Sequence, residues 1–529
     1  MAKILVSDSL AKEGLKILED NGANEVVYKP EITPQGLLAE IGEYDALVIR
    51  SRSKVTADIL RAGKKLKIVG RAGVGVDNVD VPVATECGIM VANAPEGNTM
   101  STCEHTISLM MSLVRNVPTG DATMKAGKWE KKKLEGVELF GKTLGVVGLG
   151  KIGREVAKRM QAFGMTVWGY DPYVSSEMIE RLGVEAKTVQ EIIEGADVIT
   201  VHTPKTPETT GLIGEAQFKK MKKTAYVINC ARGGIVDEKA LCAALEAGEI
   251  AGAAIDVYTT EPLPEDHPLR KAPRIVLTPH LGASTVEAQE KVALQVADQV
   301  VNACKGAEVT TAVNAPAIKA EILKQMQSSL SLAERLGRFI VQMCDSRITR
   351  LDIEVSGTLL EFPVEPISMS VMKGFLEHIS DVPVNFVNAR ARMAAQGVQV
   401  AEHRSTAPKD YLQLKTVTAT MENGKTASVS GTVFAPNRPR IVAVGNLHFE
   451  MRPSGNIILI ENRDVPGIIG SVGTALAEAG INIGEISWGR DKKGGMAMTA
   501  ISADSEVPES MISKLARLPN ILSARLILL

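Results

Sequence analysis

The sequence predicts an α/β chain in which two parallel-sheet units precede a smaller α+β part and a final βαββαβ unit. Strand-like runs alternate with helical stretches over residues 1–305, which is the rhythm of parallel sheets. From about Asn456 the order becomes strand, helix, strand, strand, helix, strand, which is typical of a ferredoxin-like unit. A length of 529 residues is too great for one core and suggests about three or four domains.

The first α/β unit begins at once and is predicted to end near Asn93. Its strand-like runs are Lys3–Ser7, Ala46–Ile49 and Lys67–Gly70. The first residues do not have the basic and then apolar pattern of a signal peptide, and no apolar run approaches the ~18 residues of a membrane span. We therefore expect neither secretion nor membrane insertion.

Residues 145–171, GVVGLGKIGREVAKRMQAFGMTVWGYD, predict a dinucleotide site. Gly148, Gly150 and Gly153 form a G-x-G-x-x-G turn between an apolar strand and a helix, whose N-terminus offers N–H groups to a pyrophosphate. Asp171 ends the next strand, 18 residues after Gly153. A carboxylate there accepts from both ribose hydroxyls and repels a 2′-phosphate, so NAD is predicted rather than NADP.

Further strands of this second unit end in polar residues. The predicted strands are Val198–His202, Ala225–Asn229, Ala251–Val257 and Arg274–Leu277. Ligands of open α/β sheets lie beyond the carboxyl ends of the strands, so the segments that follow should converge on one crevice.

Three residues in those segments are candidates for catalysis: Arg232 in NCARGGIVDE, Glu261 in DVYTTEPL and His280 in TPHLGAST. Oxidation of a secondary alcohol by hydride transfer needs a proton acceptor and, for a hydroxyacid, a cation for the carboxylate. A histidine oriented by a glutamate supplies the first, and the planar fork of an arginine the second. Each residue alone has an ordinary structural explanation. Their common position beyond strand ends favours catalysis, whereas His202 and His105 are expected to be structural.

The rest of the chain looks non-catalytic. A helical stretch runs from Ser284 to about Lys305, followed by a loop. Strand-like segments at Leu412–Met421 and Thr426–Phe434 flank Asn423–Gly424, a hairpin turn signal.

The composition excludes several functional classes. The chain is 45% hydrophobic and 23% charged with a net charge of −2, which gives no reason to expect a nucleic-acid or membrane partner. Six cysteines form no C-x-x-C pair, which fits a cytoplasmic protein, and no metal site is predicted.

Through GLGKIG, Asp171, NCARGGIVDE, the Glu261 segment, TPHLGAST, VIRSRSKV and GRAGVGVDN, the sequence resembles the D-isomer-specific 2-hydroxyacid dehydrogenases over nearly its whole length. The resemblance implies a Rossmann-type NAD-binding domain over residues 96–283, inserted in a flavodoxin-like substrate-binding domain made of residues 1–95 and 284–310. It also implies an α+β intervening domain over residues 317–450 and a ferredoxin-like ACT regulatory domain over residues 456–529.

Residue by residue, the resemblance assigns substrate binding to Arg232, support of the histidine to Glu261 and acid-base chemistry to His280. Cofactor contacts beyond the three glycines and Asp171 would come from Val74, Lys151, Ile152, Thr203, Pro204, Cys230, Ala231, Arg232, Asp256, His280, Gly282 and Ala283. Further substrate contacts would come from Arg50, Arg71, Asn98 and, from a neighbouring subunit, Lys131. Some members of the family have arginine at the Lys131 position.

The implied activity is oxidation of 3-phospho-D-glycerate to 3-phosphohydroxypyruvate with NAD, the first step of phosphorylated L-serine synthesis. The implied assembly is a homo-oligomer, expected to be a tetramer. L-serine is the expected effector, bound in the ACT domain by Asn462, Asp464 and Asn482. Two alternatives stay open: another D-2-hydroxyacid such as glyoxylate or hydroxypyruvate is the substrate, or the protein is an NAD-dependent regulatory scaffold.

Overall fold

The computed structural model describes residues 1–316, 320–380, 384–406, 410–434 and 437–529. The first residues of the predicted intervening domain, 317–319, lie outside the described part. Among the described helices, none is at once long enough and apolar enough to cross a membrane.

The first unit is a five-stranded parallel sheet in the order β2-β1-β3-β4-β5. Its elements are β1 (Ala2–Val6), α1 (Lys12–Glu19), β2 (Asn24–Tyr28), α2 (Pro34–Glu40), β3 (Ala46–Ile49), α3 (Ala57–Ala62), β4 (Ile68–Arg71), α4 (Val81–Glu86) and β5 (Met90–Ala92). This is the flavodoxin-like order, so the predicted fold class is confirmed. The sequence did not predict β2, which has no fully buried residue, or β5, which has only three residues.

The second unit is a seven-stranded parallel sheet in the order β12-β11-β10-β9-β6-β7-β8. Its elements are α5 (Thr99–Val114), α6 (Val117–Lys125), β6 (Thr143–Val147), α7 (Lys151–Ala162), β7 (Thr166–Tyr170), α8 (Ser176–Glu180), β8 (Glu185–Ala186), α9 (Val189–Gly195), β9 (Val198–Val201), α10 (Glu215–Phe218), β10 (Tyr226–Asn229), α11 (Glu238–Ala247), β11 (Gly252–Ile255) and β12 (Ile275–Leu277). The strand order reverses between β6 and β9. In a doubly wound sheet, that reversal opens the crevice that receives a dinucleotide.

The next helix, α12 (Val286–Cys304), returns to the first sheet. Val296 and Val300 are fully buried in one cluster with Ile4 and Val48 of the first sheet. The chain thus leaves the first unit, builds the second and comes back. That packing has the discontinuous arrangement that the family resemblance implies, while the domain boundaries themselves stay predictions.

The remaining chain forms two further sheets. The first has the order β14-β13-β15-β16-β17-β18, and the second is antiparallel in the order β20-β21-β19-β22. The elements are α13 (Ala320–Met343), β13 (Ile348–Gly357), α14 (Glu365–Ile379), α15 (Ala389–Ala395), β14 (Gln399–Ser405), β15 (Gln413–Met421), β16 (Thr426–Phe434), β17 (Arg438–Val444), β18 (Leu447–Met451), β19 (Asn456–Arg463), α16 (Ile468–Glu478), β20 (Ile483–Arg490), β21 (Met496–Ala503), α17 (Glu509–Ala516) and β22 (Ile521–Leu528). The predicted ferredoxin-like unit is therefore confirmed.

Candidate active site

The glycine turn between β6 and α7 has the shape that a dinucleotide needs. Gly148 has a φ of +99°, and a Cβ at Gly153 would lie 2.0 Å from the Gly148 carbonyl oxygen, so a side chain is excluded there. The Asp171 carboxylate accepts hydrogen bonds from the N–H groups of Leu149 and Tyr173, both at 2.9 Å. Helix α7 can therefore face a pyrophosphate with its N-terminus, while Asp171 is held beside the turn for a ribose.

The other predicted cofactor residues are distributed around the ends of strands. Thr203 and Pro204 follow β9, Cys230 and Ala231 follow β10, Asp256 follows β11, Gly282 and Ala283 lie beyond β12, Val74 follows β4, and Lys151 and Ile152 open α7. The Thr203 hydroxyl oxygen is buried without a hydrogen-bond partner among the described residues, so it is available to a ligand. Burial raises the pKa of the Cys230 thiol to about 12, which makes that cysteine unreactive. Lys151 forms an exposed ion pair with Glu96 at 2.7 Å.

His202 follows β9, and its Nδ1 is buried without a hydrogen-bond partner among the described residues, so its structural role stays a prediction. Its Nε2 lies 3.1 Å from the Thr200 hydroxyl oxygen. Burial lowers its pKa to about 4, so the ring stays neutral near pH 7.

Glu261 and His280 form a hydrogen-bonded pair, with 2.8 Å between Glu261 Oε2 and His280 Nδ1. The other carboxylate oxygen accepts from the Tyr258 N–H at 3.0 Å. Burial raises the pKa of Glu261, but the hydrogen bonds from His280 and Tyr258 outweigh burial and lower it overall. Glu261 is therefore a carboxylate that can only accept, so Nδ1 of His280 donates and Nε2 is left as the proton acceptor.

Asp256 holds the loop that carries the histidine. This fully buried carboxylate accepts from the N–H groups of Leu281 and Gly282 at 2.7 and 2.9 Å, and from the Thr278 hydroxyl at 2.6 Å. The backbone oxygen of Asp256 also accepts from the His280 N–H at 2.9 Å. These bonds fix His280 at a φ of +55°, a conformation that non-glycine residues rarely adopt. The sequence indicated Asp256 only as a cofactor contact and did not indicate this role.

His105 belongs to the same network. Its Nε2 lies 3.2 Å from an Asp256 carboxylate oxygen and 3.3 Å from the Thr278 hydroxyl. The sequence predicted a packed residue on α5, without its link to the histidine loop.

Arg232 lies beyond β10 and reaches toward the first sheet. Its Nε donates to Asp77 Oδ2 at 2.9 Å, and its Nη1 donates to the Ala231 carbonyl at 2.7 Å. Asp77 belongs to GRAGVGVDN, which begins at the end of β4 and continues as the loop after it. The sequence did not single out Asp77, because nothing in a local pattern shows that residues so far apart will meet.

Two further predicted arginines come from the first sheet. Burial and the nearby Arg232 lower the pKa of Arg71 to about 10, against the opposing effect of Asp77, and its Nε is buried without a partner among the described residues. Arg50 also acts on Arg71 electrostatically, and its own guanidinium donates only weak bonds to Ser9 at 3.3 and 3.4 Å. Partly buried guanidiniums close together have an unmet need for an anion.

The other two predicted substrate residues, Asn98 and Lys131, lie in different parts of the second unit. Asn98 precedes α5, and its side-chain oxygen is buried without a partner in the described part of the chain. Lys131 is exposed on a 3-10 turn over Lys131–Lys133, and its amine makes no ion pair or hydrogen bond among the described residues. A role for Lys131 at the site of another subunit stays a prediction.

The predicted effector residues lie in the last sheet and differ in what they can offer. Asp464 accepts from Arg490 Nη1 and from the Gly494 N–H, both at 2.9 Å, which lower its pKa. Asn482 is exposed and donates to Asp504 at 2.5 Å. Asn462 is fully buried, donating to the Arg463 carbonyl at 2.8 Å and accepting from the Thr499 hydroxyl at 3.2 Å. An effector would have to displace those two bonds to use Asn462.

Comparison with known proteins matches three family models to parts of the chain. Residues 107–282 match the D-isomer specific 2-hydroxyacid dehydrogenase NAD binding domain, residues 325–445 the D-3-phosphoglycerate dehydrogenase intervening domain, and residues 456–520 the ACT domain. The solved structure of an NAD-dependent formate dehydrogenase from Staphylococcus aureus in complex with NAD is 29% identical, with a TM-score of 0.52 over 57% of this chain and 95% of that chain. The doubly wound sheet and the arginine–glutamate–histidine set thus define an NAD-dependent dehydrogenase of the D-isomer specific 2-hydroxyacid class.

Relatives that match along the whole chain show which family within this class the chain belongs to. A D-3-phosphoglycerate dehydrogenase from Archaeoglobus fulgidus is 41% identical over 524 residues, covering 99% of both chains. The enzyme of the same name from Bacillus subtilis is 40% identical over 527 residues, covering 100% of this chain and 99% of that protein. The chain belongs to the D-3-phosphoglycerate dehydrogenase family.

Proposed function

We propose that this chain oxidises 3-phospho-D-glycerate to 3-phosphohydroxypyruvate with NAD, the first step of phosphorylated L-serine synthesis. The observation that carries the proposal is that Arg71 and Arg232 are close enough to act on one another electrostatically, while the loop of Arg232 packs at Gly233 on Tyr258, whose N–H is bound by Glu261. A 2-hydroxyacid that also carries a phosphate has two anionic ends, and this crevice offers more than one guanidinium to hold them.

The side chains divide the reaction between them. The free N–H groups of Arg232 bind the substrate carboxylate, which places the C2 hydroxyl at His280. Nε2 of His280 takes the hydroxyl proton, and the Glu261 carboxylate stabilises the imidazolium that forms. NAD would supply the acceptor for the hydride that leaves C2. Asp171 and the N-terminus of α7 orient that cofactor, and the Asp256 network holds the histidine loop in place.

The test is a rate measurement with NAD and 3-phospho-D-glycerate, coupled to removal of the keto acid. We expect turnover by the wild type and a loss of roughly 10²–10⁴-fold in His280→Ala, the usual contribution of a general base. NAD binding, measured by fluorescence, should persist in that variant. Retained turnover in His280→Ala would show that another residue takes the proton, and wild-type inactivity would refute the proposed substrate.

A second substrate class, an unphosphorylated D-2-hydroxyacid, needs only Arg232 and the Glu261–His280 pair, so half-buried Arg50, which is bonded weakly to Ser9, is the residue that distinguishes the two classes. Arg50→Ala separates the two classes. If the phosphate is bound there, KM should rise for 3-phospho-D-glycerate and not for D-glycerate. Equal effects on both acids would favour the unphosphorylated substrate.

We propose that the protein acts as a homo-oligomer formed through the segment from α6 to β6, and as a tetramer if the ACT units pair as well. Helix α6 buries none of its residues within the chain, and Trp129 and Phe140 are 80% and 79% exposed. Large apolar side chains exposed within one short segment support an interaction surface, and Lys131 lies between these two aromatics in sequence. In sedimentation, Trp129→Glu should reduce the assembly size, and an unchanged size would contradict this interface.

We propose that L-serine binds the ACT domain and regulates turnover. Asp464 supports this because its carboxylate, already fixed by Arg490 and the Gly494 N–H, suits an ammonium group. Asn482 offers a donor and an acceptor at the surface. Replacing Asp464 and Asn482 together by alanine should abolish any response of the rate to serine. A response equal to that of the wild type would refute this site.

A further inference from the structure

Asp77 and Arg232 meet across the cleft between the first two sheets. Asp77 lies beyond β4 of the first sheet and Arg232 beyond β10 of the second, 155 positions apart in the chain. Nε of Arg232 donates to Asp77 Oδ2 at 2.9 Å. Because each unit contributes one partner, the orientation of the guanidinium depends on the position of the first unit.

The ion pair leaves one edge of the guanidinium for a ligand. Nε is taken by Asp77 and one Nη1–H by the Ala231 carbonyl, so the remaining N–H groups lie at the Nη1/Nη2 end. A Cβ at Gly75 would fall 1.9 Å from Nη2, so that end packs directly on the glycine loop after β4. A carboxylate bound by two parallel N–H···O bonds fits such an edge.

The backbone beneath Arg232 is fixed without Asp77. Asn229, which is 1% exposed, donates to the Arg232 carbonyl and accepts from the Ala231 N–H, both at 3.0 Å. Loss of Asp77 would therefore release only the side-chain torsions of Arg232, while the loop beyond β10 stays in place.

We propose that Asp77 is a positioning residue, which holds Arg232 by its Nε so that the Nη1/Nη2 edge is aimed at the carboxylate of the 2-hydroxyacid. This inference rests on the proposed function of Arg232. Asp77 also places a negative charge beside Arg71 and Arg232, which offsets the repulsion between two guanidiniums before the substrate binds.

Two substitutions at Asp77 separate geometry from charge. Asp77→Ala removes the acceptor, and we expect kcat/KM for the hydroxyacid to fall by roughly 30–100-fold, the cost of a slightly misplaced group. Asp77→Asn keeps an amide oxygen for Nε, so its loss should stay below about 5-fold. KM for NAD should not change in either variant. The control is Asp58→Ala, which removes an exposed carboxylate of the same unit and should leave the kinetics unchanged.

Three outcomes would overturn the proposal. Wild-type kcat/KM in Asp77→Ala would mean that Arg232 is oriented without Asp77. Equal losses in Asp77→Asn and Asp77→Ala would assign the whole effect to the charge of Asp77 and none of it to the positioning of Arg232. A parallel rise of KM for NAD would indicate general damage to the cleft.

The same variants keep this proposal apart from the choice of substrate. Every 2-hydroxyacid carries the carboxylate, so the loss in Asp77→Ala should be equal for phosphorylated and unphosphorylated acids. If the wild type turns over neither acid, the proposed function fails, and oxamate binding to the NADH-loaded protein then tests Asp77 alone. Weaker oxamate binding by Asp77→Ala than by Asp77→Asn would support the positioning role, and equal binding would refute it.

Discussion

Lys415 lies in the core of the intervening domain without a hydrogen-bond partner among the described residues. It is fully buried on β15, opposite Val355 of β13 on one side and Gly431 of β16 on the other. Burial lowers the pKa of its amine from 10.5 to about 7. An amine in apolar surroundings is stabilised in its neutral form, so folding must release a proton that the unfolded chain holds up to about pH 10.5.

This change in pKa makes stability depend on pH. Between pH 7 and 10.5 the unfolded chain binds more protons than the folded one, so the free energy of unfolding must rise with pH. At 1.36 kcal/mol per pH unit, the pH-dependent part of the cost of burying Lys415 is roughly 5 kcal/mol at pH 7 and falls to zero near pH 10.5. Lys415→Met keeps the length of the side chain without the amine. We therefore expect the variant to be several kcal/mol more stable at pH 7, and this advantage should shrink steadily as the pH approaches 10.5.

The assay is equilibrium unfolding of the wild type and the variant in urea at pH 7, 8.5 and 10. At each urea concentration, a short pulse of hydrogen exchange labels the unfolded molecules, and mass spectrometry measures the label in the peptide 413–421. That peptide is β15 itself, so the readout reports the intervening domain rather than the whole chain. Lys425→Met, an exposed position on the same hairpin, is the control and should shift neither the midpoint nor its pH dependence. A midpoint for Lys415→Met at or below that of the wild type at pH 7 would refute the reasoning, as would a constant difference between pH 7 and 10.

Other substitutions test the dehydrogenase crevice. Glu261→Gln should lower kcat by roughly 10–100-fold, because an amide cannot stabilise an imidazolium, and steady-state kinetics should show no change in KM for NAD. Gly153→Ala should lower the melting temperature, because its Cβ would lie 2.0 Å from a carbonyl oxygen. Gly150→Ala, whose Cβ would meet nothing within 4 Å, should weaken NAD binding without lowering the melting temperature. Equal melting temperatures of the two variants would contradict this prediction. The pKa of Asp256 is lowered in the folded protein, so this carboxylate contributes stability above pH 3.8 that is lost as the pH falls through the folded-state pKa. Acid unfolding, followed by circular dichroism, should therefore depend less steeply on pH in Asp256→Asn. Identical unfolding curves would count against this contribution.

The parts that the sequence predicted correctly are those encoded locally. Gly148, Gly153 and Asp171 lie within one strand–helix–strand unit, where each residue type has one physical purpose. Glu261 and His280 were predicted to meet because parallel strands end at one edge of a sheet, and the structure places their side chains 2.8 Å apart. Their catalytic roles stay predictions until turnover is measured.

The parts that were missed depend on distant contacts. Asp77 is important only because it binds Arg232, and Asp256 because it accepts hydrogen bonds from N–H groups of a loop some 25 residues later. The burial of Lys415, in contrast, could have been predicted from the alternating pattern of its strand. In QLKTVTATM every second residue from Lys415 onward, Val417 and Ala419 included, faces the core, so a lysine occupies an apolar position of a period-two pattern.

The burial pattern of β19 shows that the last sheet is covered on both of its faces. In β19 four consecutive residues are buried, whereas a sheet with one solvated face would alternate. Ile458 and Ile460 pack with α16 and α17, and Ile457 and Leu459 join the core that contains α13 of the intervening domain. Since α13 also packs against the six-stranded sheet, the ACT and intervening domains share one core. Interiors packed in this way are dense and transmit strain, so a ligand that shifts the ACT sheet must also change the packing of α13.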